Sequence, residues 1–108
     1  MNGFQLKFYM HENRKHHGIL LYEWLIEKAK EMGIHGGSVF RAIAGFGRHG
    51  IIHEEHFFEL AANVPVEAIF ILTEDECNNF ISMLKSEKLN IFFMKIPIEF
   101  GILNGDRE

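Results

Sequence analysis

Between Gly45 and Leu60 the chain places three glycines (Gly45, Gly47, Gly50), one arginine (Arg48), three histidines (His49, His53, His56) and three glutamates (Glu54, Glu55, Glu59). The histidines are four and three positions apart. On a helix that spacing would put them on one face, where three imidazoles can hold Zn²⁺ or Cu²⁺ with the glutamates as supplementary oxygen donors. The glycines ahead of His49 argue against a preformed helix, so a metal site at His49, His53 and His56 is the alternative expectation and not the main one. A second group, Arg14-Lys15-His16-His17, is basic and precedes the first predicted helix. No Ser-His-Asp or Cys-His arrangement can be assembled from the remaining residues. His53 with Glu54 has the types for proton transfer, but any loop containing both would offer as much. The sequence therefore predicts a protein that is not an enzyme.

The composition narrows the class further. The 108 residues fit one domain, 1–108, with a modest core. Hydrophobic residues make up 47% of the chain and eleven are phenylalanine, rich enough that other subunits are expected to cover part of the surface. A net charge of −4 gives no basic footprint for nucleic acid. The single cysteine, Cys77, excludes an internal disulfide framework and fits a reducing compartment. The first residues lack a charged n-region and apolar h-region, and no apolar run reaches the roughly 18 residues needed to span a bilayer. The expectation is a cytoplasmic protein that is not membrane-embedded.

Elements to position the chemistry follow from periodicity. Gln5–His11 alternates, with Leu6, Phe8 and Met10 on one side, and reads as a strand. Residues 12–18 read as a polar turn. Ile19–Met32 is helical in pattern, with Leu21, Leu25, Ala29 and Met32 forming the stripe and Tyr22 and Ile26 widening it. Gly33 falls where a helix stops. Ser38–Ala44 reads as a second strand and Val64–Leu72 as a third, the latter apolar enough to predict a central strand covered on both faces. Thr73-Glu74-Asp75-Glu76 has the form of a capping box, with Thr73 as N-cap. Cys77, Phe80, Ile81 and Leu84 then mark a second amphipathic helix to about Lys88, which makes Cys77 a core thiol. Leu89–Phe100 reads as a fourth strand whose Pro97 places part of it at an edge. Residues 101–108 read as a loose tail.

The order β-α-β-β-α-β predicts an α+β, ferredoxin-like fold: a four-stranded antiparallel sheet with two helices on one face. The opposite face would have no helix to cover it, and Ile69, Ile71, Phe92 and Met94 are available to pack against another subunit there. A plain fold of this kind joins strands two and three by a short hairpin. Here about 16 residues, 48–63, separate Gly47 from Val64, and a connection of that length in a small domain is commonly functional.

Gly45-Phe46-Gly47-Arg48 after a strand, a long loop, and Leu60 with Pro65-Val66 before the next strand resemble the nitrogen-regulatory PII proteins around their mobile loop. The match is closer to the PII-like family of unknown function, whose pattern has its counterparts in His17-Gly18, Arg41, Gly45-Phe46-Gly47, Ile52-His53 and Leu60 with Pro65-Val66. The resemblance covers roughly residues 4–100. It implies a homotrimer with a ferredoxin-like fold, an adenine nucleotide (AMP, ADP or ATP) in the clefts between subunits, and regulation of a target protein through the long loop. PII relatives regulate membrane transporters, which makes a transporter one candidate target. The nucleotide-binding residues so implied are His17, Gly18, Arg41, Gly45, Phe46, Gly47, Arg48 and His53, with Phe46 placed to stack on a base, and Arg14 joins them as a cation ahead of the first helix. Arg41 has an ion pair with Glu67 or Glu99 across subunits as its plain alternative. The sequence departs from PII in two places. Leu72 passes straight to three acids with no glycine-rich phosphate loop, so phosphates must be met elsewhere, by Arg14, Lys15, His16, His17, Arg41 or Arg48. Residues 48–63 contain no tyrosine to be uridylylated. The metal alternative resembles the copper-tolerance family, which shares the trimeric fold.

Overall fold

The alternation in the first strand is the organising pattern of the core. The computed structural model describes residues 1–45 and 64–105. In chain order these form β1 (Asn2–His11), β2 (Lys15–His16), β3 (Ile19–Leu20), α1 (Leu21–Glu31), β4 (Gly36–Arg41), β5 (Pro65–Leu72), α2 (Glu74–Ser86) and β6 (Phe92–Glu99). The four long strands make one antiparallel sheet in the order β4-β5-β1-β6. Leu6, Phe8 and Met10 of β1 lie opposite Phe70, Ala68 and Val66 of β5. These six residues form the buried side of the sheet, and both helices pack there. This is the expected ferredoxin-like arrangement, with β5 central and the Pro97-bearing β6 at an edge.

Burial of aromatic area holds the two layers together. Phe8 of β1, Phe70 of β5 and Phe80 of α2 are essentially inaccessible. Their rings meet at centroid distances of 6.1, 6.1 and 5.3 Å in edge-on and tilted geometries. Cys77 is buried beside them, and burial raises its thiol pKa, as a core thiol requires. The first helix buries Leu21, Leu25 and Ala29 as its periodicity predicts, and also Trp24, which lies outside that stripe. Met32 does not join them. It is the C-cap, beyond the regular helix, and is 38% exposed.

Both helix ends are closed by their own sequence. At α2 the Thr73 hydroxyl accepts from the Glu76 amide, and the Glu76 carboxylate accepts from the Thr73 amide, a complete capping box. At the end of α1, Gly33 takes φ 84°. Its amide donates to the Lys30 carbonyl and that of Ile34 to the Ala29 carbonyl, the paired bonds of a Schellman motif.

Several boundaries differ from the sequence reading, each for a physical reason. Residues 12–18 are not a simple turn. Lys15 and His16 pair with Leu20 and Ile19, so the helix starts at Leu21 and not at Ile19. β4 begins at Gly36, which pairs with Ile71, and Gly37 packs against the Phe70 ring, where a Cβ would stand 2.8 Å from the ring atoms. It ends at Arg41 and not at Ala44, because its partner begins at Pro65 and no ladder remains. The fourth strand begins at Phe92, after a turn in which Lys88 has φ 57°. Among the described residues the helices cover β5 on one face, not both. Ile69 and Ile71 are half-buried on the other face, beside exposed Phe40 and Phe92 (55% and 43%). The long loop at 48–63 lies outside the described residues, as does the end of the tail; residues 101–105 contain a turn in which the Gly105 amide meets the Ile102 carbonyl.

The capping box and the ring cluster are expected to differ in weight. Thr73→Ala should lower unfolding free energy by about 1 kcal/mol, and Phe80→Ala by about 3–5 kcal/mol. Urea melts of the two variants check the ranking, and equal losses would contradict it.

Candidate functional site

Residues flanking the 46–63 segment come together at one end of the sheet. There β1 ends at His11 opposite Pro65, and β4 ends at Arg41 opposite Val66. Two backbone bonds close this end: the Glu12 amide to the Val64 carbonyl and the Ala42 amide to the Pro65 carbonyl, each 2.9 Å. Gly45 lies close to the Pro65 ring, and a Cβ added there would be 3.7 Å from it. Arg41 shares the helix side of the sheet with Val66 and reaches back to the Glu12 carboxylate, forming an ion pair. The hydrogen bond to Glu12, followed by its charge, raises the guanidinium pKa, so Arg41 is a fixed cation. Its side chain is 64% exposed, so the cation also faces solvent.

The same turn that carries Glu12 continues into the second cluster. Arg14 donates to the Asn90 carbonyl at 2.8 Å, tying the turn to the connection between α2 and β6. The chain then makes a two-residue hairpin in which His17 and Gly18 both have positive φ, 53° and 84°. That is the signature of a type I′ turn, and histidine is among the few non-glycine residues that tolerate it. The hairpin sets His16 and His17 side by side, ring centroids 4.2 Å apart, with His16 edge-on to Trp24 at 4.5 Å. Both Nε2 atoms point at one oxygen of Glu87, at 3.0 and 2.9 Å. These hydrogen bonds, His16's first, hold the Glu87 carboxyl below the usual range. A carboxylate only accepts, so both imidazoles present Nε2–H to it.

A third polar group sits on the sheet face away from the helices. The Tyr9 hydroxyl donates to Glu67 at 2.5 Å, and the Lys7 ammonium lies 3.7 Å from the same carboxylate oxygen. Burial and the Glu67 bond push the Tyr9 pKa up to about 12. Within the chain Glu67 is engaged by Lys7 and Tyr9, and Arg41 by Glu12.

Of the residues picked out in the sequence, Arg14, His17 and Gly18 share the hairpin region, while Arg41 and Gly45 share the sheet end. Glu12 and Arg14, two residues apart on one turn, link the two. Phe46, Gly47, Arg48 and His53 lie outside the described residues, as do His49 and His56 of the metal alternative. Three participants were not foreseen: Glu12, Glu87 and Trp24. Glu87 had a readable signal, since an acid at the C-terminal end of a helix opposes the helix dipole unless something positive faces it.

Comparison with known proteins agrees with this architecture. The profile of the DUF190 family, described as "Uncharacterized ACR", matches residues 3–93. A UPF0166 protein of Aquifex aeolicus is 34% identical over 82 residues, 76% of this chain and 78% of the relative. Another, from Methanocaldococcus jannaschii, is 33% identical over 79 residues, 73% and 72% of the two chains. Among solved structures, the PII-like protein CPII of Thiomonas intermedia K12, bound to ADP, AMP and bicarbonate, superposes with a TM-score of 0.67 at 15% identity, covering 96% of this chain and 92% of CPII. A PII-like signaling protein of Thermus thermophilus gives 0.59 at 14% identity, over 90% and 86%. The fold is that of the PII-like proteins, and the chain belongs to the DUF190 family.

The Glu87 geometry carries a pH dependence. Its folded pKa is depressed, so its stabilising contribution is present above the ordinary value of 4.5 and is lost as pH falls below it through the folded value. Glu87→Gln should therefore flatten the acid limb of a melting temperature–pH profile. An unaltered acid limb would contradict the assignment.

Proposed function

We propose that this protein is a PII-like regulator rather than an enzyme. In this reading it forms a homotrimer through the apolar sheet face, binds an adenine nucleotide at the clefts between subunits, and signals to a target protein through residues 48–63. The observation that carries the reading is the end of the sheet, where an exposed, permanently charged Arg41 and Gly45 stand at the approach to that segment. The ADP- and AMP-bound state of CPII supports an adenine nucleotide as ligand. The PII-like character of the structural neighbours favours this reading over a metal site at His49, His53 and His56.

The charges suggest where phosphate would go. The amino end of α2, which would receive phosphate behind a glycine-rich loop, is closed by its capping box and carries Glu74, Asp75 and Glu76 in the first turn. Like charge there repels an anion. Arg41 is the better partner: its guanidinium is 64% exposed, so a phosphate can reach it and compete with the Glu12 carboxylate. Arg14, His17 and Gly18 from the hairpin, and Phe46, Gly47, Arg48 and His53 next to Gly45 in the chain, complete the proposed set. Coupling to a target requires the 48–63 segment to differ in its interactions between nucleotide-bound and free states. Among the described residues no helix is long and apolar enough to cross a membrane. We place the protein in the cytoplasm, and a membrane transporter is one candidate target.

Calorimetry with ATP, ADP, AMP and cyclic nucleotides tests the reading. At least one should bind. Arg41→Ala should weaken that binding by about tenfold or more, as expected for removing a charged phosphate contact. Absence of binding by all of them at millimolar concentration would overturn the proposal.

A further inference from the structure

We infer that His16, His17 and Glu87 form a binding site for a divalent transition cation of the zinc or copper type. Among the described residues this is the one group of three potential ligands whose donor atoms all lie within 4.8 Å of one another. It is separate from the histidines of the 48–63 segment; it shares His17 with the proposed nucleotide set, and its test is made without nucleotide.

The geometry is close to that of a coordinated ion. Zinc bonds to imidazole nitrogen and carboxylate oxygen are about 2.0–2.2 Å, which at tetrahedral angles separates neighbouring donors by about 3.3–3.5 Å. The two Nε2 atoms stand 3.0 and 2.9 Å from Oε1 of Glu87. An outward movement of about 0.4 Å per pair, within the reach of side-chain rotation, opens the space an ion needs. To bind the ion each imidazole would carry its ring proton on Nδ1 instead of Nε2, exchanged through solvent, so that both Nε2 lone pairs face the cation, and neutral imidazole with carboxylate is a donor set suited to zinc and copper.

The backbone fixes these donors in advance. His16 is held in the β2–β3 ladder, and the Leu21 amide returns to the Arg14 carbonyl at 2.7 Å, clamping the base of the hairpin. His17 occupies the left-handed region, a conformation that costs free energy for a residue with a Cβ and that turns its ring onto Glu87. Glu87 caps the carboxyl end of α2, its amide bonded back to the Met83 and Leu84 carbonyls. A carboxylate at that end of a helix is electrostatically misplaced, and a dication against it reverses the sign of the interaction. His16 is mostly covered (15% exposed) and His17 is open (63%), so a fourth coordination position would face solvent from the His17 side.

Trp24, the single tryptophan, supplies a local reporter, because its ring lies 4.5 Å from that of His16. Cu²⁺ titrated into the metal-free full chain should quench Trp24 emission saturably, with one equivalent per chain, and excess Zn²⁺ or EDTA should restore it. His17→Asn keeps a residue that tolerates the left-handed turn, and Glu87→Gln keeps the helix end. Each should weaken Cu²⁺ and Zn²⁺ binding by about tenfold or more, with circular dichroism confirming the fold. A triple variant, His49→Ala with His53→Ala and His56→Ala, should leave the quenching intact. Absence of quenching, or affinity unchanged in both His17→Asn and Glu87→Gln, would overturn the inference.

Discussion

The apolar face of the sheet that the helices leave bare is the constraint on which the rest of the molecule depends. Both helices pack on Leu6, Phe8, Phe70 and their neighbours, so among the described residues no helix covers the alternate residues of the same strands. Ile69, Ile71, Met94 and Ile96 are half-buried there, with Phe40 and Phe92 exposed at the edges. Contiguous apolar surface on a small domain marks an interaction site or an aggregation hazard. Lys7, Tyr9 and Glu67 satisfy one another within this face, which lowers the penalty of burying them together. In the proposed trimer this face would bring one chain's sheet end, with Arg41 and Gly45, beside a neighbouring subunit. The proposed nucleotide cleft therefore depends on the assembly as much as on any residue.

Much of this was legible because it depends on local chemistry. The alternation of Leu6, Phe8 and Met10, the Thr73–Glu76 capping box and the helix stop at Gly33 are each decided within a few residues, and each appears as read. The element order then left few topologies to choose among. Boundaries were less legible wherever a distant partner sets them. Nothing near Ala44 says that β4 must stop at Arg41; that follows from where β5 begins. The β2–β3 hairpin was hidden for a similar reason, since His17 in a left-handed turn is less conspicuous in sequence than asparagine or glycine would be.

The candidate site shows the same division. Arg41, Arg14 and His17 were recognisable by type and by resemblance to PII-like proteins. Their partners were not, because Glu12, Asn90 and Glu87 are brought to them by folding, in the cases of Asn90 and Glu87 from some 70 residues away. Those partners change the chemistry. Arg41 is a cation already holding a replaceable carboxylate. His16 and His17 are two imidazoles converging on the Glu87 carboxylate.

Native mass spectrometry of the purified protein tests the central claim, an assembled PII-like nucleotide binder, most directly. The account predicts a species of three times the 12.6 kDa chain mass, which gains the mass of an adenine nucleotide at up to one per subunit cleft when the ligand is supplied. A monomer at micromolar concentration that takes up no nucleotide would contradict it.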